Sequence, residues 1–300
     1  MISSPFSLVP PIRRARGYRL YTADGRRLVD LWQDGGRALL GHTVPRLLNL
    51  LKDTASRGLF APLPYPGALE KLERTVKRLF PWGELRLYNP MGGPTDRWKR
   101  LGPWDKIGPP PLPWPETVID LACSELPPPS TAAYPLGILW RPYAQGETDA
   151  PIPLLSPELA ALAQRGPLVI QPVAPVPWPL VPSLFVISRE IADRFPPSDG
   201  GSPLLLRSLT RVFNDLLAAP QRPPLHLTKT PVWKSRGIYL TLNTPMDDLL
   251  YQRLWKDFLD VGFLLPPDQD LPLIVPGELS PGELRALNRA LCQYPRDPIL

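Results

Sequence analysis

The chain has 300 residues, 43% of them hydrophobic, enough to bury a full core as one large domain or two small ones. No apolar run reaches the roughly 18 residues of a membrane span, so no membrane partner is expected. The net charge is +6, from 26 Arg and 8 Lys against 28 Asp and Glu, and the basic residues are spread along the chain. The clusters Arg13-Arg14-Ala15-Arg16 and Arg97-Trp98-Lys99-Arg100 read as solvated faces, and nucleic acid is not expected as a partner. The N-terminus lacks the basic and long apolar stretches of a signal peptide. Cys123 and Cys292 lie far apart without metal-ligand spacing, which points to free thiols and a cytoplasmic location.

In chain order, the sequence predicts a strand ending at Asp24-Gly25, where an Asp-Gly pair between apolar runs signals a type I′ hairpin turn. A second strand returns through Leu28 and Leu31, and a glycine turn at Gly35-Gly36 leads to Gly41-His42. Pro45 starts a helix, and residues 68–80 form an amphipathic one, with Leu69, Leu72, Val76 and Leu79 at three- and four-residue steps. Leu85–Tyr88 is a short strand, followed by a loop at Asn89–Pro94 and a short helix at Arg97–Leu101. Six of the fourteen residues in Gly102–Pro115 are proline, so that stretch is irregular. Val118–Ala122, Gly137–Arg141, Leu168–Gln171 and Leu184–Ser188 read as strands, alternating with helices at Ser156–Arg165, Arg189–Phe195 and Pro203–Leu217. That alternation indicates a mostly parallel sheet. After Pro220 come a strand at Gly237–Leu242, a helix at Pro245–Val261, strands at Phe263–Leu265 and Leu271–Val275, and a helix at Pro281–Leu291.

The 45 prolines are about three times the usual share of about 5%. They fall at punctuation points. Ser156-Pro157, Ser202-Pro203, Thr244-Pro245 and Ser280-Pro281 each place a hydroxyl at an N-cap and proline at the first helical position. Ser280 with Glu283 completes a capping box. A proline-rich interaction module is one functional reading of this composition.

The ordered string from Gly17 to Pro45 resembles the N-terminal segment of the class III aminotransferases, and the glutamate-1-semialdehyde aminotransferase branch in particular. Lys234-Ser-Arg-Gly-Ile-Tyr-Leu, Asp257-Phe-Leu-Asp-Val-Gly-Phe-Leu-Leu-Pro-Pro and Leu279-Ser-Pro-Gly-Glu-Leu-Arg-Ala-Leu are similar to the strand, turn and closing helix of that family's C-terminal domain. Pro167–Ile191 aligns without a gap to the family's cofactor-lysine segment. The resemblance implies an α/β, fold-type I pyridoxal-phosphate (PLP) transferase-like protein. Its mostly parallel large domain would occupy residues 60–220, and a small α+β domain would be built from both termini, 1–59 and 221–300.

The same resemblance implies a cofactor lysine, an acid for the pyridine nitrogen and a phosphate cup. The lysine position falls on Ala174, so no covalent cofactor is expected; PLP is the cofactor if the family's function is retained. The acid-bearing strand reads as lost, since Gln164-Arg165-Gly166 runs straight into Pro167, and Asp193 and Asp199 come too late to serve. Gly92 and Gly93 are candidates for the phosphate cup, or simply a turn. Lys229 and Lys234 read as exposed charge. His42 belongs to the structural Gly-His turn, and His226 reads as a strand residue; with two isolated cysteines they make no metal site. The expectation is a shortened relative without PLP catalysis, dimeric with itself or with a full-length relative, with Trp32, Trp98 and Trp104 as candidates for the dimer face. The alternative is an active aminotransferase or aminomutase with a non-standard site.

Overall fold

The computed structural model describes residues 5–61, 63–88, 115, 118–124, 126–127, 134–145, 150–176, 183–195, 197–198 and 201–293. It opens with three short strands, β1 (Ile12–Arg16), β2 (Arg19–Thr22) and β3 (Arg27–Asp30), in an antiparallel meander. The first basic cluster is therefore an edge strand, with the Arg14 guanidinium 4.4 Å from the Tyr21 ring. Register Leu20↔Leu28 leaves Ala23, Asp24 and Gly25 in the loop, and Gly25 alone of these has a positive φ, +88°. The turn is thus a three-residue one with a left-handed glycine, not the two-residue type I′ turn. Asp24 stays out of the left-handed region because Ala23 adds a residue to the loop and Thr22 Oγ1 bonds Arg26 O at 3.0 Å.

Two helices follow, α1 (Pro45–Ser56) and α2 (Ala68–Lys77), the latter burying Leu72 and Val76. The chain then lays down β4 (Gly83–Tyr88), β5 (Val118–Asp120) and β6 (Leu136–Trp140). After β7 (Ile152–Pro153) and α3 (Pro157–Ala163) come β8 (Leu168–Pro172), β9 (Ser183–Ser188), α4 (Arg189–Ala192) and α5 (Pro203–Ala218). Five of these strands form one sheet in the order β4-β9-β8-β6-β5. β5, β6 and β8 are parallel, and β9 runs antiparallel to both β8 and β4, so four of the five strands point one way. The fold is α/β with a mostly parallel sheet.

The last third begins with β10 (Gln221–Arg222), which pairs with β7. The predicted single strand over Gly237–Leu242 is instead the second arm of a hairpin, β11 (Trp233–Arg236) and β12 (Tyr239–Leu242), which turns at Gly237 with φ +59°. α6 (Asp248–Asp260) is capped by Asp247, whose carboxylate accepts from Leu249 N at 2.8 Å, and not by Thr244. The start is delayed because Gln269 clamps Met246, accepting from its N–H at 2.8 Å and donating to its carbonyl at 2.9 Å. β13 (Phe263–Leu264), β14 (Leu273–Ile274) and α7 (Pro281–Cys292) complete the chain. His226 lies in an irregular stretch and not in a strand, because residues 223–232 make no ladder.

Three apolar clusters result among the described residues. The first packs on one face of the five-stranded sheet with Phe80, Ile138, Trp140, Ile170, Val186 and Phe213, and a small one with Tyr88, Val169, Phe185 and Ile187 lies on its other face. The second gathers Leu28, Leu31, Trp255, Phe258, Phe263 and Leu287. The second joins the two ends of the sequence, since β13 pairs in parallel with β3, Phe263 opposite Val29. Among the described residues no helix is long and apolar enough to cross a membrane.

Candidate functional site

Open α/β sheets collect ligands at the carboxyl ends of their parallel strands. Here β5, β6 and β8 end at Asp120, Trp140 and Pro172. The residue after β6, Arg141, is buried at 1% exposure. Its Nε donates to Asp120 Oδ1 at 2.7 Å, Nη2 to Asp120 Oδ2 at 2.8 Å and Nη1 to the Gly35 carbonyl at 2.8 Å. Asp120 also accepts from Ala122 N at 2.9 Å. Burial opposes the charge on Arg141, but the facing carboxylate outweighs it and raises the guanidinium pKa above its ordinary value. The Tyr239 ring lies 5.9 Å from the guanidinium carbon, and burial pushes its phenol pKa up.

The surroundings of this pair are closely built. Gly36, with φ +103°, leaves only 3.2 Å between the place of a Cβ and Val173 Cγ1 just past β8. The turn of the β11–β12 hairpin packs on the backbone beyond β6: Tyr239 Oη donates to Pro142 O at 2.9 Å and Ile238 N to Tyr143 O at 3.4 Å. Arg236 Nε donates to Leu121 O, beyond β5, at 3.0 Å. Tyr143 Oη in turn donates to Ala219 O at 2.5 Å. The strand ends thus meet the N-terminal turn on one side and the C-terminal hairpin on the other.

Ala174 lies two residues beyond β8, buried in the core of the five-stranded sheet. β6 runs parallel beside β8, in register Leu139↔Gln171, and the residue that follows it is the cation Arg141. The linear reading did not bring Arg141 and Ala174 to one sheet edge because β7 and α3 separate the two strands in sequence, and adjacency in a parallel sheet is long-range. Asp120 and Arg141 carried no motif that would have singled them out. Asp193 sits at the exposed end of α4. Asp199, Gly92, Gly93, Trp98 and Trp104 lie outside the described residues.

The remaining candidates are scattered. Trp32 is half-buried, its ring 4.9 Å from Phe6. His42 Nε2 is 2.7 Å from Asp30 Oδ2, while Asp30 Oδ1 accepts from Trp32 N and Gln33 N at 2.9 and 2.8 Å, a structural network. Lys229 is exposed, and Lys234 lies on β11 opposite Thr241. Cys123 is free, and burial, with Asp120 next, pushes its thiol up to about 12. Among the described residues no three His, Cys, Asp or Glu side chains gather as metal ligands.

No family model matches the chain. An uncharacterized protein of Treponema pallidum is 28% identical over 298 positions, covering 88% of each chain. A glutamate-1-semialdehyde 2,1-aminomutase of Syntrophus aciditrophicus is 35% identical over 74 residues, which span 25% of this chain but only 17% of the aminomutase. Among solved structures, an (S)-enantioselective omega-transaminase from Thermomicrobium roseum superposes with a TM-score of 0.57 at 14% identity, covering 97% of this chain and 94% of that one. An ornithine delta-aminotransferase of Plasmodium falciparum gives 0.53 at 12% identity over 95% and 93% of the two chains. The fold is therefore that of the fold-type I PLP-dependent aminotransferases.

Proposed function

We propose that this chain is a shortened class III aminotransferase-like protein, of the glutamate-1-semialdehyde branch, that has lost PLP-dependent catalysis. The observation that carries the reading is the buried Arg141–Asp120 pair at the carboxyl edge of β5, β6 and β8. PLP chemistry needs a lysine for the Schiff base and an acid that keeps the pyridine nitrogen protonated, so that the ring draws electrons from the substrate. The described residues do not fit that group. Beyond β8 the chain offers Val173 and Ala174, apolar and buried, neither able to form an imine. Beyond β6 it offers a guanidinium, opposite in sign to the acid a pyridinium requires. The nearest carboxylate, Asp120, already engages that guanidinium through both oxygens.

What survives in this reading is a folded partner, a homodimer or a heterodimer with a full-length relative. Exposed Leu8, Ile12, Phe60 and Leu249 supply apolar surface for such an assembly. A monodisperse monomer at micromolar concentration by light scattering removes that part of the proposal. The test of the chemistry is to incubate the purified protein with PLP, reduce with borohydride and digest. The expected result is no visible internal-aldimine band and no pyridoxyl group concentrated on one lysine. A single labelled lysine, together with amino-group exchange between an amino acid and an oxo acid above background, overturns the proposal in favour of an active enzyme.

A further inference from the structure

Three helices that pack together carry an excess of positive charge. α5 packs between α1 and α2, and residues 45–57, 65–78 and 203–218 hold nine Lys and Arg against four Asp and Glu. These segments therefore have a net charge of +5, against +6 for the whole chain. Between the helices lies a half-open cavity of about 260 Å³. Leu50, Tyr65 and Ala68 form apolar wall; Lys71, Arg207 and Arg211 bring charge into it.

The carboxylates nearby do not neutralise those cations. Asp53 is shared by Arg57 at 2.9 Å and Arg207 at 3.2 Å. Asp215 is shared by Arg211 and, at 3.9 Å, Arg46. Arg78 meets only the neutral Asn214 Oδ1, at 3.4 Å, and Lys71 is exposed; among the described residues neither pairs with a carboxylate. Four arginines thus share two acids, and Arg78 and Lys71 add two more cations to the same helices. Arg207 and Arg211 are held in place by their ion pairs yet keep 28% of their side-chain surface exposed, so their remaining N–H groups are ordered and available. Ordered guanidiniums beside apolar wall are suited to a planar anionic head on an apolar body.

We propose that the groove between α1, α2 and α5 binds a small organic anion. A phosphate or carboxylate head engages Lys71, Arg207 and Arg211, and an apolar portion packs on Leu50, Tyr65 and Ala68. This assignment is independent of any chemistry at the sheet edge.

The test is isothermal titration of the full chain with phenyl phosphate and benzoate, against neutral benzyl alcohol and inorganic phosphate as controls. At least one of the two anions binds saturably at one site per chain, and both controls bind more weakly. Lys71→Gln and Arg211→Gln each weaken binding about tenfold, the loss of one hydrogen bond to a charged group. Lys71→Gln removes an exposed, unpaired side chain and leaves the melting temperature unchanged, which separates loss of the site from loss of the fold. No saturable binding of either anion, equal binding of benzyl alcohol, or undiminished affinity in both variants overturns the proposal. So does salt-dependent capture of a single-stranded RNA oligonucleotide by a protein that ignores both small anions.

Discussion

Glu283 shows how much one side chain can do when the fold brings the termini together. It closes the capping box of α7, accepting from Ser280 N at 2.8 Å. It also receives Arg19 from β2, at 2.9 and 2.6 Å, tying the N-terminal meander to the last helix. The hydrogen bond from Arg19 is the largest cause holding this carboxyl at about 2, below its ordinary 4.5. A carboxyl depressed by folding stabilises the native state above its unfolded pKa, and that contribution is lost as pH falls through the folded one. The Glu283 contribution is therefore full above pH 4.5 and fades on the way down to about 2. Urea denaturation across this window should show wild type losing more stability than Glu283→Gln, which lacks the titrating group. Parallel acid limbs for the two proteins would show that the pair does not couple to folding.

At the scale of elements, the turn of the β11–β12 hairpin is tightly constrained. Gly237 turns it with φ +59°, and a Cβ there would lie 1.7 Å from the Tyr143 carbonyl oxygen. Backbone leaves no room for that atom, and the left-handed conformation adds strain for any other residue. Gly237→Ala should cost about 3 kcal/mol or more, in the range reserved for backbone clashes and buried disruption. Chemical denaturation measures it, and a loss under about 1 kcal/mol, the centre of the distribution for point mutants, would mean that the hairpin does not seat against the strand ends. Helix starts behave more locally. Ser156, Ser202 and Ser280 each accept from a backbone N–H three residues on, as their Ser-Pro pairs predict. Thr244-Pro245 has the same pattern and fails, because Gln269, a residue from a distant loop, holds Met246 and hands the cap to Asp247.

For the molecule as a whole, Arg141 is the tie between the five-stranded sheet and the N-terminal turn. Removing one partner of a buried ion pair costs about 3–5 kcal/mol, and partial hydration of Asp120 sets the lower end here, about 3 kcal/mol. Arg141→Leu should therefore lose about that much stability and should lose it unevenly. Leu31, whose N–H bonds Leu264 O at 2.9 Å, lies on the side that Arg141 holds through Gly35, while Ile170 lies in β8. Native-state hydrogen exchange in wild type should give both amides the same opening free energy. In Arg141→Leu the Leu31 amide should open first. Equal losses at both positions would mean that the hairpin and α7 suffice to couple the first and second clusters without the arginine.

Local chemistry alone determined much of this protein. The apolar periodicity of α2 and α5, the Ser-Pro caps, the left-handed glycine at Gly25 and the strand–helix alternation are short-range signals, and each is written in a few neighbouring residues. The resemblance of both ends of the chain to one family rests on the same kind of local strings. Tertiary structure alone decided the rest. That Arg141 follows the strand beside β8, that Asp120 is its partner, and that Gly35 and Gly237 come to the same edge depend on residues up to 115 positions apart in a single hydrogen bond. A parallel sheet pairs strands across long crossovers, so which side chains share its carboxyl edge is set by the order of strands in space. The charged groove has the same origin. α1, α2 and α5 are three separate helices in sequence, and only their packing brings Lys71, Arg207 and Arg211 to one groove.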